Sequence, residues 1–146
     1  TRAMEETSTL ELADRALDTV SGGERQRAVV AMALAQDAPV MLLDEPTSNL
    51  DLAHQTGIMD LVVRLMEERG TAVLVAMHDL TLAAQYCDRL IMLSEGRGFA
   101  LGSPSEVLTA ANIKAVYGAE VYLVPHPLGG TPVVLPARGA GRESYR

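Results

Sequence analysis

An α/β fold, with parallel strands covered by helices, is predicted by three features of the residue order. Short β-rich runs alternate with helical patterns through residues 21–95. The runs Pro39–Leu43 and Thr71–Met77 are almost wholly apolar, as strands covered on both faces of a parallel sheet would be. Capping and breaking residues stand at the junctions, among them Ser21, Asp51 and Gly70.

Taken in order, Ser21-Gly22-Gly23-Glu24 matches a capping box, which predicts a largely buried helix starting there and running through Ala28–Ala35. Pro39–Leu43 reads as a central strand, and Asp44-Glu45-Pro46 ends it because proline cannot continue the ladder. Asp51 is placed to cap a second helix, in which Ile58, Leu61, Val62, Leu65 and Met66 recur at helical spacing and Gly70 supplies the stop. Thr71–Met77 is the next strand. His78-Asp79 follows it, with Asp79 read as the N-cap of a short helix over Leu80–Cys87. A further strand is expected at Arg89–Leu93 and a return strand at Phe99–Leu101. Ser103-Pro104-Ser105-Glu106 should start short helices over residues 104–117. Val121–Val124 and Pro132–Leu135 flank Gly129-Gly130 as a small hairpin, and the Gly- and Arg-rich tail from Ala137 is expected to be disordered.

Composition bounds the function. A chain of 146 residues that is 48% hydrophobic is long enough for one domain with a real core. The net charge of −7 opposes sequence-independent binding to nucleic acid, which requires many cations at phosphates. The single cysteine, Cys87, reads as a small hydrophobe; without an internal disulfide or a secretory signal pattern, a reducing cytosolic compartment is expected. No apolar run approaches the roughly 20 residues that a membrane-spanning helix needs. The chain begins at Thr1 without methionine, which suits an excised piece, a cleavage product or a missing upstream segment.

Parallel strands joined by a crossover helix end on the same edge of a sheet, where open α/β folds bind ligands. Asp44, Glu45 and His78 should therefore converge, a set suited to metal-assisted hydrolysis. Asp44 is the natural Mg²⁺ partner, because a hard cation takes one or two carboxylates along with waters and substrate phosphates. Glu45 is placed to polarise an attacking water, and His78 to hydrogen-bond a terminal phosphate oxygen or that water. Gly22 and Gly23 open the start of a helix, whose amides and dipole favour an anion, and Ser21 adds a hydroxyl donor. His54 and His126 lack comparable neighbours and are left outside the site.

Val20-Ser21-Gly22-Gly23-Glu24-Arg25-Gln26-Arg27 resembles the LSGGQxQR signature of ABC ATPases. Val40–Glu45 with Pro46-Thr47-Ser48-Asn49-Leu50-Asp51 resembles their Walker B and D-loop, and Met77-His78-Asp79-Leu80 their switch histidine loop. The resemblance covers about residues 15–136. It implies part of a P-loop NTPase (RecA-like) ABC ATPase domain, with residues 1–20 ending a helical subdomain and 21–136 forming the C-terminal part of the domain. It also implies a dimer holding two ATP molecules head to tail. Ser21, Gly22 and Gly23 would contact a γ-phosphate held by the opposite subunit, and Asp51 would signal across the dimer. Asp44 would hold Mg²⁺ through water, Glu45 would act as catalytic base, and His78 would sense the γ-phosphate.

Val20 and Glu24 replace the leucine and glutamine usual in the signature. The pattern G-x-x-x-x-G-K-[ST] does not occur, since the only lysine is Lys114, so these residues alone are expected neither to bind ATP well nor to hydrolyse it. Residues 76–89 and 102–136 resemble importer subunits that power uptake of iron siderophores, haem or cobalamin. Transmembrane permease subunits would then be partners and a substrate-binding protein an indirect one, at the cytoplasmic face of the membrane. Two other readings compete with this one: a DNA-repair or chromosome-maintenance ATPase, which the acidic charge and the absence of heptads in residues 1–20 oppose, and a non-catalytic interaction fragment. Arg138, Arg142 and Arg146 read as a solvated end.

Overall fold

Two parallel strands and the helix joining them organise the first half of the chain in the computed structural model, which describes residues 2–137. The chain divides after Met77 into two compact units. The first contains α1 (Arg2–Glu6), a 3₁₀ turn (Leu10–Leu12), α2 (Gly22–Leu34), β1 (Val40–Asp44), α3 (Leu52–Arg69) and β2 (Ala72–Ala76). β1 and β2 pair in parallel, with Val40 opposite Ala72 and Asp44 opposite Ala76.

The two long helices, α2 and α3, pack on one face of the strand pair. Val30 and Leu34 of α2 and Ile58, Leu61, Val62 and Leu65 of α3 bury Met41 and Leu43, with Val73 and Val75 packed against them. Met59, not expected in the core, is also buried, while Met66 is half-buried. α3 starts at its Asp51 cap and stops at Gly70, which takes the left-handed conformation that ends helices. The buried hydroxyls of Thr7 and Thr9 are satisfied locally: Thr7 Oγ1 donates to the Ala3 carbonyl at 2.9 Å and lies 2.9 Å from Thr9 Oγ1. Arg69 ties the C-terminal end of α3 to α1 and to the end of α2 through Glu6, Asp37 and the Leu34 carbonyl.

Two expectations about burial are corrected. α2 buries a stripe rather than most of its surface, leaving Val29 and Met32 exposed, because it meets the sheet along one side only. The apolar runs of β1 and β2 are covered on a single face. Val40, Leu42 and Leu74 point the other way and are exposed, since α2 and α3 lie on the same side.

The second unit contains α4 (Leu80–Tyr86), β3 (Leu90–Ser94), β4 (Arg97–Gly102), α5 (Pro104–Val107), α6 (Ala110–Tyr117), β5 (Val121–Pro125) and β6 (Pro132–Pro136). Asp79 caps α4 by accepting from the Leu82 amide at 2.9 Å, as the sequence predicts. The strand after Arg89 is followed by the expected return strand, which runs over Arg97–Gly102. Glu95 and Gly96 both have positive φ, and this two-residue turn sends β4 back antiparallel along β3. Ser103 and Glu106 form a capping box at α5, and β5 and β6 form the expected hairpin around Gly129-Gly130. Ala84, Met92, Val107, Leu108 and Ile113 make this unit's core. Thr81 Oγ1 accepts from the Val134 amide at 3.0 Å, which fastens α4 to β6. The tail expected to be disordered lies, from Arg138 on, outside the described residues, as do Arg142 and Arg146.

Leu65 is 1% exposed in the middle of the first core. Leu65→Ala should cost about 2–5 kcal/mol through lost burial and the cavity left behind. Urea or guanidinium unfolding measures this, and a loss near zero would mean that the α3 contact is misassigned.

Candidate functional site

The C-terminal end of β1 delivers two carboxylates in succession. Asp44 is the last strand residue and is exposed, opposite Ala76 in the parallel register. Glu45 leaves the strand with φ +44, in the left-handed region that a non-glycine residue enters at a cost on the order of 1–3 kcal/mol. Three hydrogen bonds hold it there. Its N–H donates to the Ala76 carbonyl at 3.0 Å, and its own carbonyl accepts from the Ser48 amide at 3.1 Å and from Ser48 Oγ at 3.0 Å. Pro46 and Thr47, next in the chain, are buried. Such a backbone, over-determined by its surroundings, is characteristic of functional turns. It turns the exposed Glu45 away from the strand direction of Asp44.

The head of α2 carries the glycine-opened start. The Ser21 amide and hydroxyl both donate to Glu24 Oε2, at 2.8 and 2.7 Å, and the Glu24 amide reaches back to Ser21 Oγ at 3.4 Å. The capping box is therefore closed, which corrects the expectation of a free Ser21 donor: its hydroxyl hydrogen is committed to Glu24. These two Ser21 bonds, the hydroxyl's first, hold the Glu24 carboxyl below its ordinary range despite an opposing desolvation, with Arg15 and Arg27 adding to the effect. Gly22 remains exposed and Gly23 is buried.

The turn after β1 folds against this helix start. A Cβ on Gly22 would meet Leu50 Cδ2 at 3.5 Å, an ordinary contact. A Cβ on Gly23 would lie 2.2 Å from Cδ2 and 2.9 Å from Nε2 of His54, so no side chain fits there while that ring stays in place. His54 in turn is paired with Asp51. Asp51 Oδ1 accepts from the His54 amide at 2.9 Å, capping α3, and lies 2.7 Å from His54 Nδ1. These two interactions, the backbone bond first, pull the Asp51 carboxyl below its usual range.

His54, expected to lack a comparable neighbour, is instead partnered by Asp51. The available signal was its position three residues after an N-cap aspartate, a spacing that brings side chains together on a helix. His126, by contrast, stays in a local turn, where its Nδ1 accepts from the Leu128 amide at 3.3 Å.

Ser21, Gly22, Gly23, Asp44, Glu45 and Asp51 all belong to the first unit, and His78 is the first residue of the second. Within the first unit the glycines meet the turn that bears Asp51, through Leu50 and His54, while Asp44 and Glu45 sit at the β1 end of the same turn. The donor set fits Mg²⁺: one exposed carboxylate at a strand end is what an ion holding mainly water and phosphate oxygens requires. Among the described residues no group of three or more histidine, cysteine or acidic side chains forms a cage for a metal.

With the geometry in place, relatives locate the fold. The ABC transporter family model matches residues 1–48. The chain is 45% identical over 136 residues to the ferric enterobactin transport ATP-binding protein FepC of Escherichia coli (strain K12), covering 93% of this chain and 50% of that protein. It is 43% identical to the achromobactin transport ATP-binding protein CbrD of Dickeya dadantii (strain 3937), covering 97% of this chain and 52% of that protein. It is 48% identical over 126 residues to the hemin import ATP-binding protein HmuV of Rhodococcus jostii (strain RHA1), covering 86% and 43%. The chain thus spans about half the length of the curated relatives it matches.

Among solved structures, an inward-facing metal-chelate type ABC transporter superposes with a TM-score of 0.84 at 25% identity, covering 94% of this chain and 55% of that one. A post-hydrolysis dimer of the ATP-binding cassette MJ0796 bound to ADP and Pi superposes at 0.61 with 32% identity, covering 70% and 44%. The fold is the ABC ATPase domain of P-loop NTPases, of which these residues form a part.

The α2 capping box has a pH signature. Because the folded pKa of Glu24 lies below its unfolded value, the box contributes stability above the ordinary glutamate pKa of about 4.3, and that contribution disappears as pH falls through the folded value. The Ser21 amide resonance followed by NMR should titrate below that ordinary value. A transition at or above it would show the box to be open in solution.

Proposed function

The chain belongs to the ABC transporter ATP-binding family, and from that membership we propose that it is part of the ATP-hydrolysing subunit of an importer for an iron siderophore, haem or cobalamin. The transport role is supported by the relatives, whose names specify ferric enterobactin, achromobactin and hemin. The observation that carries the catalytic reading is the β1 end. There Asp44 and Glu45 stand in succession, with Glu45 held out of the strand by the Ala76 and Ser48 bonds. His78 follows two residues after Ala76, the register partner of Asp44.

In this proposal two subunits meet head to tail. Gly22 and Gly23 offer the amide end of α2 to the γ-phosphate held by the opposite subunit. Ser21 adds its hydroxyl once Glu24 releases it. Glu45 orients the attacking water and accepts its proton, and His78 donates a hydrogen bond to a γ-phosphate oxygen. Asp44 would hold Mg²⁺, which when bound neutralises phosphate charge. Asp51 faces the partner subunit.

The phosphate-gripping loop G-x-x-x-x-G-K-[ST] is not among these 146 residues. That grip therefore comes from other polypeptide, and these residues alone give no turnover. Permease subunits would be the membrane partners, with a substrate-binding protein engaged through them at the cytoplasmic face. No described helix is long and apolar enough to cross a membrane.

Glu45→Gln in the complete subunit keeps the size and polarity of the side chain but removes the proton acceptor. ATP turnover should fall by about 10²–10⁴-fold, while ATP-bound dimers accumulate on a sizing column. Turnover at the unmutated rate would sink the assignment of Glu45 as base.

A further inference from the structure

We propose that His54 is a positioning residue of the ATP site, one that fixes the Asp51 carboxylate and is itself fixed by Gly23. The inference rests on the site reading given above. Asp51 needs only the His54 backbone amide to cap α3, yet the imidazole adds a second interaction to the same oxygen, Oδ1, at 2.7 Å. With both on one oxygen, the side-chain torsions of Asp51 are set, and the direction of its other oxygen follows from them.

The opposite edge of the ring is equally constrained. Its Cδ2 and Nε2 fill the space in which any Cβ on Gly23 would have to stand. A glycine from the signature turn, an imidazole and a carboxylate from the D-loop turn therefore form one connected row. Any movement of the α2 start that tilts the ring is transmitted to Asp51.

Exposure separates this arrangement from a purely structural one. The His54 side chain is 48% exposed and that of Asp51 68% exposed, so the row stands at the surface. An exposed pair at this spacing adds little to folding. Its effect is to restrict a carboxylate on the face that the reading gives to the second subunit. A carboxylate held in one direction meets an incoming donor without first losing freedom, whereas one free to rotate must be ordered at each encounter.

Two substitutions divide the functions of the ring. His54→Asn keeps a donor near the place of Nδ1 but gives up the ring over Gly23. His54→Phe keeps the ring and gives up the donor. In the complete subunit, His54→Phe should lower kcat about tenfold and His54→Asn should recover most of that loss, while thermal stability should rank the two in the reverse order. A kcat that follows melting temperature across the pair, or that is unchanged in His54→Phe, would overturn the positioning role.

The contact itself is read without nucleotide. Gly23→Ala should lower the melting temperature, and by much less in a His54→Ala background. An equal loss in both backgrounds would remove the ring from Gly23. The assay with Glu45→Gln keeps the two ideas apart. Unchanged turnover there defeats the ATP-site reading, and the role of His54 with it. A collapse there alongside unaffected His54 variants defeats the positioning role alone.

Discussion

The five register pairs between β1 and β2, running from Val40 with Ala72 to Asp44 with Ala76, determine where the first unit displays its chemistry. Side chains alternate along a strand, so a slip of β1 by one residue would bring Leu42 onto the helices and turn Met41 and Leu43 out to solvent. The core under α2 and α3 forbids that slip. The same register puts the Glu45 amide against the Ala76 carbonyl and thereby sets the point at which the chain turns out of the sheet. Hydrophobic packing on one face thus dictates, several residues away, the direction taken by an acidic turn.

Small local devices refine what the strands position. Ser48 closes on the Glu45 carbonyl and keeps the backbone in a conformation that it would not choose alone. Asp51 starts α3 and in doing so brings His54 over Gly23, where a missing side chain leaves room. Glu24 occupies both donors of Ser21. Each is an ordinary helix-start or turn interaction, and together they pack the head of α2 and the start of α3 against each other.

Much of this was legible in the sequence, because local signals and tertiary packing agree. Ser21 with Glu24, Asp51 with Gly70, and Ser103-Pro104 with Glu106 mark helix ends by their own hydrogen-bonding chemistry, and the helices begin and end there. What escaped the sequence was relational. An apolar run such as Val40–Leu43 reads alike whether one face or both are covered, and only the placement of α2 and α3 on the same side decides it. The return strand expected at Phe99–Leu101 runs over Arg97–Gly102, because the Glu95-Gly96 turn brings the chain back along β3 from its first residue. His54 carries no local motif: its neighbour is a glycine thirty-one positions away that has no side chain to announce the contact.

The single-sided cover of the strand pair also governs handling. Val40, Leu42 and Leu74, between half and three-quarters exposed, form a greasy patch beside strand edges whose backbone groups have no sheet neighbour among the described residues of the unit. Patches of that kind recruit other chains and seed precipitation. The colloidal behaviour of these residues produced alone is therefore governed by a surface that contributes nothing to their core. Polar replacement of Leu42 would reach that surface while leaving Met41 and Leu43, on the opposite side of the same strand, where they are.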